Sequence, residues 1–164
     1  MDEQFLRAFE AAIESASERL LEIPEAETEK PLDNGWCAKQ ILGHLIDSAT
    51  NNHARFVCAQ FQENLVFPDY AQDEWVRVQK YEQEAWAALV DLWTEFNLHL
   101  LHIIENISNE HLVKTCTLQL LDESALPDTP HTSATESFTL DYLIRDYFEH
   151  MQAHLKYIFD KLNR

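Results

Sequence analysis

Apolar residues return every three or four positions in four separate stretches of the chain, the period of a helix with one buried side. The first stretch, with Phe5, Phe9, Ile13, Ala16 and Leu20, predicts a helix from about Asp2 to Glu22. A second opens near Cys37 and runs to about Glu63, with Ile41, Leu45, Ala49, Asn52 and Phe56 along one stripe. A third covers about Gln83 to Ile107 on a line of Leu89, Leu92, Phe96, Leu100, Ile103 and Ile107. The fourth begins after Ser137 or Thr139, either of which can cap the free N–H groups of a helix start. It carries Leu140, Leu143, Tyr147, His150, Met151, His154, Leu155, Ile158 and Leu162.

Four such helices predict an all-α four-helix bundle, most simply up-down-up-down with room for crossovers, forming a single domain over residues 1–164. Two long inter-helix loops complete it. The one between helices two and three holds Pro68 and Trp75; the one between three and four holds Pro127 and Pro130. Connections of this length usually carry function or drape over an open end. Lys114 to Leu121, KTCTLQLL, reads as a short extended segment. With only two glycines, Gly35 and Gly43, the composition also favours helices over tight hairpins. Gly43 is placed to let a neighbouring helix come close.

Charge narrows the range of partners. Twelve basic against 29 acidic residues leave a net charge of −17, which repels phosphate backbones and anionic lipid surfaces, so neither nucleic acid nor membrane is expected as a partner. No uninterrupted apolar run reaches the ~18 residues of a membrane span. The acidic, amphipathic start MDEQFLRAFE has no secretory pattern, and Cys37, Cys58 and Cys116 form no CxxC pair; reduced thiols in a cytoplasmic protein are expected.

The chemistry concentrates in DYFEHMQAHLKYIF, Asp146 to Phe159. Four residues of helix turn through about 400°, within ~40° of a full circle, so His150 and His154 project side by side, on the side shared by Leu143, Tyr147 and Ile158. Two imidazoles at this spacing converge on one ion, and a catalytic metal usually takes three protein ligands. His44, beside Ile41 and Leu45, is the best third candidate; His99, three residues after Phe96, is either a ligand or a neighbour. His102 points off its helix's stripe, and His53, His111 and His131 fall at flanks or in loops. Met151 stands where an HExxH motif carries its glutamate base, and neither GxSxG nor a P-loop occurs.

Two segments carry a resemblance to a known family. Trp36 to Phe56, WCAKQILGHLIDSATNNHARF, resembles the helix-two signature of the DinB-like (YfiT-like) superfamily at Trp36, His44, Leu45 and Asp47. Ser137 to Ile158 resembles the final-helix signature at Thr139, Leu140, His150 and His154. The resemblance implies a four-helix bundle whose three-histidine metal site falls on His44, His150 and His154. It implies a divalent ion, nickel or zinc first and manganese or iron next, and frequent homodimers. It also implies small-molecule partners. Relatives include S-transferases for thiols such as bacillithiol, a mycothiol-dependent maleylpyruvate isomerase, and proteins assigned as metal-dependent hydrolases on site geometry.

The leading expectation is a thiol S-transferase acting on a small thiol and an electrophile. The alternatives are a hydrolase of small amides or esters, and a non-catalytic bundle whose metal shell is closed by His99 or an acidic residue. Asp47 and Asp146, each one turn from a candidate ligand, can orient an imidazole or take a proton, although a solvated surface role is the commoner one for such carboxylates. Trp36 and Trp75 can line a pocket or simply pack. Cys37 replaces the usual Ser or Thr cap of helix two, and its distance along the axis sets it too far from His44 to share an ion.

Overall fold

Four long helices, α1 (Glu3–Leu21), α3 (Ala38–Cys58), α5 (Trp86–Glu105) and α7 (Leu140–Leu162), form the bundle in a computed structural model that describes residues 1–62, 65–68, 70–119 and 135–162. Short α2 (Glu25–Thr28), α4 (Gln72–Gln79) and α6 (Asn109–Leu112) lie between them. Strands β1 (Val66–Pro68), β2 (Thr115–Gln119) and β3 (Thr135–Thr139) make a sheet in that order, β2 pairing parallel to β1 and antiparallel to β3. The expected Glu63 end of helix two, His131, and the Leu120–Leu121 end of the predicted extended segment lie outside the described residues.

The helix order differs from the simplest expectation. Each long helix packs on two others, in the cycle α1–α5–α3–α7, so the consecutive helices α1 and α3 sit diagonally. α1 runs antiparallel to α5: Ser17 meets Thr94, and the indole of Trp86 donates to the Leu20 carbonyl at 2.8 Å. It runs parallel to α7, Phe5 meeting Phe148 edge to face near one end and the Arg19 guanidinium lying over the Phe159 ring near the other. α5 begins beside the start of α3, because Glu25 accepts from both Lys39 Nζ and the Trp86 N–H. The bundle is therefore up-down-down-up. Two parallel neighbours in sequence need a connection that travels the bundle's length, which is the task of β1, α4 and a 3₁₀ turn at Tyr81–Gln83.

Caps and burial explain the boundaries. Asp2 caps α1 by accepting from the Phe5 N–H at 2.8 Å. Thr139, not Ser137, caps α7, its hydroxyl accepting from the Tyr142 N–H; the Ser137 hydroxyl instead meets that of Thr117 across the sheet. α3 is the central helix, with every residue from Ile41 to Ala49 buried. In α5 the buried line is Trp86, Leu89, Val90, Trp93, Asn97, Leu100, Leu101 and Ile104. Leu92, assigned to that line from the periodicity, is 52 % exposed. The helix carries apolar residues on two sides, and the side with the larger indoles won the core.

Candidate metal centre

His44, His150 and His154 converge. Their ligating atoms all lie within 4.8 Å of one another, the only such group of three or more His, Cys, Asp or Glu among the described residues. His44 is buried on α3, while His150 and His154 are half-buried on α7. The antiparallel packing of α3 on α7 brings position 44 level with positions 150 and 154. The His44 ring lies 5.2 Å from that of His150 and 5.0 Å from that of His154, and the two α7 rings are 4.6 Å apart.

Two features of this trio fit a divalent ion. His44 Nε2 and His150 Nε2 stand 3.3 Å apart. Two nitrogens about 2.05 Å from one ion at a tetrahedral angle stand about 3.3 Å apart, so the spacing is that of a shared ligand sphere. All three rings are also held neutral. Burial lowers His44 to about 3, with the nearby His154 and His150 adding to the effect; burial and His150 lower His154 to about 4; burial lowers His150. A neutral imidazole keeps the lone pair that a metal needs, and three of them suit zinc, nickel or iron better than calcium or magnesium.

Of the other residues named from the sequence, some surround the trio and some lie apart from it. Trp36 packs its ring on His44 at a centroid distance of 5.5 Å. It can do so because the loop folds back on itself: Gly35 has a left-handed φ of 91°, and Leu32 N–H donates to the Trp36 carbonyl. The loop is also tied to α7, since Asn34 N–H donates to the Tyr157 hydroxyl and Lys161 pairs with Asp33. Trp75 packs on Tyr70 instead. His99 is exposed, its ring 5.6 Å from that of His53, and takes no part in the trio. Cys37 is buried at the start of α3, its N–H donating to Gln40 Oε1 at 3.0 Å.

The two carboxylates diverge. Asp47, expected as a solvated surface group or an imidazole partner, is only 2 % exposed. It accepts from Tyr81 Oη and Gln79 Nε2, both at 2.7 Å. The crossover connection packs against this side of α3, which buries the carboxylate and raises its pKa despite those two hydrogen bonds. The group that approaches Gly43 is likewise not a helix but the ring of Tyr81; a Cβ at Gly43 would lie 2.1 Å from Tyr81 Cδ2. Asp146 is exposed, at the rim of a cavity.

That cavity, about 200 Å³, opens beside the imidazoles. α3 gives it His44, Ser48, Asn52 and Arg55, and α7 gives Leu143, Asp146, Tyr147 and His150. Tyr70, Gln72 and Leu118 close it from the two inter-helix connections, as the length of those connections suggested. Tyr147 is fixed by its hydroxyl, which donates to Asn97 Oδ1 at 2.5 Å. The periodicity placed Asn52 and Tyr147 only as stripe residues and passed over Arg55, Tyr70 and Gln72. A signal for part of this set was present: polar residues follow His44 at four, eight and eleven positions, one side of a helix whose neighbours are apolar.

The fold is similar to that of solved structures. The chain has a four-helix-bundle fold similar to that of YfiT from Bacillus subtilis (TM-score 0.74, 18% identity), covering 98% of this chain and 87% of that one. YfiT is described, provisionally, as a metal-dependent hydrolase with an unusual four-helix bundle topology. The crystal structure of the mycothiol-dependent maleylpyruvate isomerase is also similar (TM-score 0.69, 14% identity), over 99% of this chain and 65% of that one. In sequence, proteins of Bacillus cereus and Bacillus thuringiensis subsp. konkukian, both provisionally named metal-dependent hydrolases, are 24% identical over 129 residues, 79% of this chain and 68% of theirs. No protein-family profile matches. The DinB-like (YfiT-like) resemblance read from the two histidine segments stands. No described helix is long and apolar enough to cross a membrane.

Proposed function

We propose that the chain is a metal-dependent enzyme in which His44, His150 and His154 hold one divalent ion, nickel or zinc before manganese or iron, and that it transfers a small thiol to an electrophile. The observation that carries this reading is the 3.3 Å approach of two neutral imidazole nitrogens beside a third, at the wall of a cavity. Three protein ligands leave coordination open, the feature that separates catalytic from structural sites. When bound, the ion supplies a positive charge that favours the deprotonated form of a thiol or a water brought to it.

The chain's own residues do the rest. Trp36 and the buried walls of α3 and α7 keep the imidazoles neutral and aligned. Ser48, Asn52, Tyr147 and Tyr70 shape the space where an electrophile would lie. Asp146 is the carboxylate at the cavity among the described residues, and it is exposed, while Asp47 is engaged by Tyr81 and Gln79. A site with little built-in base chemistry favours a nucleophile that ionises readily, and a thiol, with a pKa near ~8.5, does so far more easily than water. Similarity to a thiol-dependent isomerase agrees with this preference.

Hydrolysis of a small ester or amide is the second reading, favoured by the provisional names of the sequence relatives. Metal-loaded protein incubated with low-molecular-weight thiols and model electrophiles tests the first reading; thioether products that vanish in His154→Ala are expected. No conjugation with nickel, zinc, manganese or iron, alongside metal-dependent cleavage of aryl esters, would replace transfer by hydrolysis. A homodimer in the cytoplasm is the setting proposed for this activity, and sedimentation equilibrium at micromolar chain checks the dimer.

A further inference from the structure

Two buried polar atoms on one turn of α3 have no hydrogen-bond partner among the described residues: Nδ1 of His44 and Oδ2 of Asp47. Both residues are 2 % exposed, so bulk water is no substitute. Such atoms are rare in packed proteins, and each calls for an explanation. Their chemistry is complementary. A carboxylate oxygen accepts, whereas an imidazole nitrogen donates when it carries the ring's proton. His44 and Asp47 are three residues apart on α3, a spacing that sets Cβ atoms about 5–6 Å from one another. His150 and His154 hold no buried atom of this kind, so His44 is the ring of the trio that needs an internal partner.

The tautomer of His44 gives the pairing its purpose. Burial keeps the ring neutral, so it has one N–H. His44 Nε2 faces His150 Nε2 at 3.3 Å, and a metal ligand must present a lone pair there. The proton then has to sit on Nδ1, where it meets no acceptor. Trp36, whose ring packs on His44, does not supply one, since an indole N–H only donates. The Ser48 hydroxyl, one turn further along, is turned to Asn52 Nδ2 at 3.5 Å. Asp47 has the spare oxygen. Its Oδ1 takes both Tyr81 Oη and Gln79 Nε2 at 2.7 Å, which holds the carboxylate and leaves Oδ2 over. The two atoms are not bonded to each other in the structure; rotation about the side-chain torsions of neighbours three residues apart closes a gap of that kind.

We infer that Asp47 is a positioning residue of the metal centre: its Oδ2 accepts the Nδ1–H of His44, which selects the tautomer whose Nε2 is free to bind an ion and fixes the plane of the ring. Tyr81 and Gln79 hold Asp47 in turn, so the crossover connection, which packs on α3 at Gly43, aligns this ligand at one remove. The inference rests on the proposed function, in which the three rings hold a divalent ion, and adds the group that orients one of them.

Cobalt(II), a spectroscopic stand-in for zinc or nickel, tests it on the whole chain. Affinity is read by chelator competition from the cobalt d–d absorption. The ring protons are read by proton NMR of the cobalt-loaded protein, where imidazole N–H resonances shift far outside the normal range. Asp47→Asn is the decisive variant. The asparagine oxygen still accepts from Tyr81 and Gln79, so the fold is kept, but an NH₂ group now faces His44 and sets donor against donor. Cobalt binding is expected to weaken about 10- to 100-fold, with loss of one slowly exchanging N–H resonance. Asp47→Ala lacks the misplaced donor and should bind cobalt no worse than Asp47→Asn, although it is the less stable chain in urea. Tyr81→Phe should lose stability and keep the resonance, which separates a weakened fold from a lost acceptor. Asp47→Asn binding cobalt as tightly as the natural chain, or cobalt affinity in all these variants simply following their urea midpoints, would overturn the positioning role and leave the metal reading standing. A natural chain that binds no cobalt would bring down both.

Discussion

Gly43 offers the sharpest test of how the crossover connection is locked onto α3. A Cβ at this position would fall 2.1 Å from Cδ2 and 2.2 Å from Cγ of Tyr81, far inside contact distance. The ring cannot step aside freely, because its hydroxyl is bonded to Asp47 and Gln79. Gly43→Ala therefore forces an overpacking cost of about 1–3 kcal/mol. Breaking the Tyr81–Asp47 hydrogen bond adds about 1–3 kcal/mol. Against this, alanine in a helix interior gains about 1 kcal/mol over glycine. The balance is a loss of about 1–5 kcal/mol, which urea denaturation, at a slope of about 2 kcal/mol per molar, reads as a midpoint lowered by roughly 0.5–2.5 M. In a Tyr81→Ala background the clash is gone, and the same Gly43→Ala change should be neutral or stabilising. If Gly43→Ala leaves the natural chain as stable as before, or costs the same in both backgrounds, the close approach of ring to helix is not what the glycine is for.

Three further outcomes follow from buried polar groups. Tyr147→Phe leaves the buried Asn97 Oδ1 without its donor and should cost about 1–3 kcal/mol in thermal or urea unfolding; no loss would contradict the role given to that bond. Lys39 is 2 % exposed while its partners Glu25 and Glu29 are each 55 % exposed. Lys39→Met strands two carboxylates that water can reach, whereas Glu25→Gln with Glu29→Gln strands a buried ammonium; the double glutamine chain should be the less stable of the two. Asp47 has a folded pKa raised above its ordinary 3.8, so its contribution to stability is fullest below 3.8 and is lost as pH rises through the raised value. The stability of the natural chain relative to Asp47→Asn should therefore fall across that interval as pH increases, and a relative stability that grows with pH would reverse the assignment.

The helices were legible because each buries one side, and burial of one side imposes a period that survives in a single sequence. His150 and His154 were legible for the same reason: a four-residue step lies within one element, so their meeting is local. His44 needed a tertiary fact, the antiparallel register of α3 on α7, but its place on a buried stripe narrowed the choice. The helix order was not legible. Nothing in the α1 and α3 patterns distinguishes adjacent from diagonal packing; the choice follows from where the crossover connection runs. The burial of Asp47 has the same origin, since the cover comes from Tyr81, thirty-four residues further along the chain. Leu92 was misplaced because α5 is apolar on two sides, and periodicity alone does not say which one meets the core.

The proposed chemistry requires three imidazoles to share one cation with room left for a reactant. X-ray absorption at the metal edge of nickel- or zinc-loaded protein measures that directly. Three imidazole nitrogens at about 2.0–2.1 Å, plus at least one light solvent scatterer, are expected, with the imidazole signal reduced in His154→Ala. A shell completed by a fourth protein ligand, sulfur scattering near ~2.3 Å, or no stoichiometric metal would contradict it.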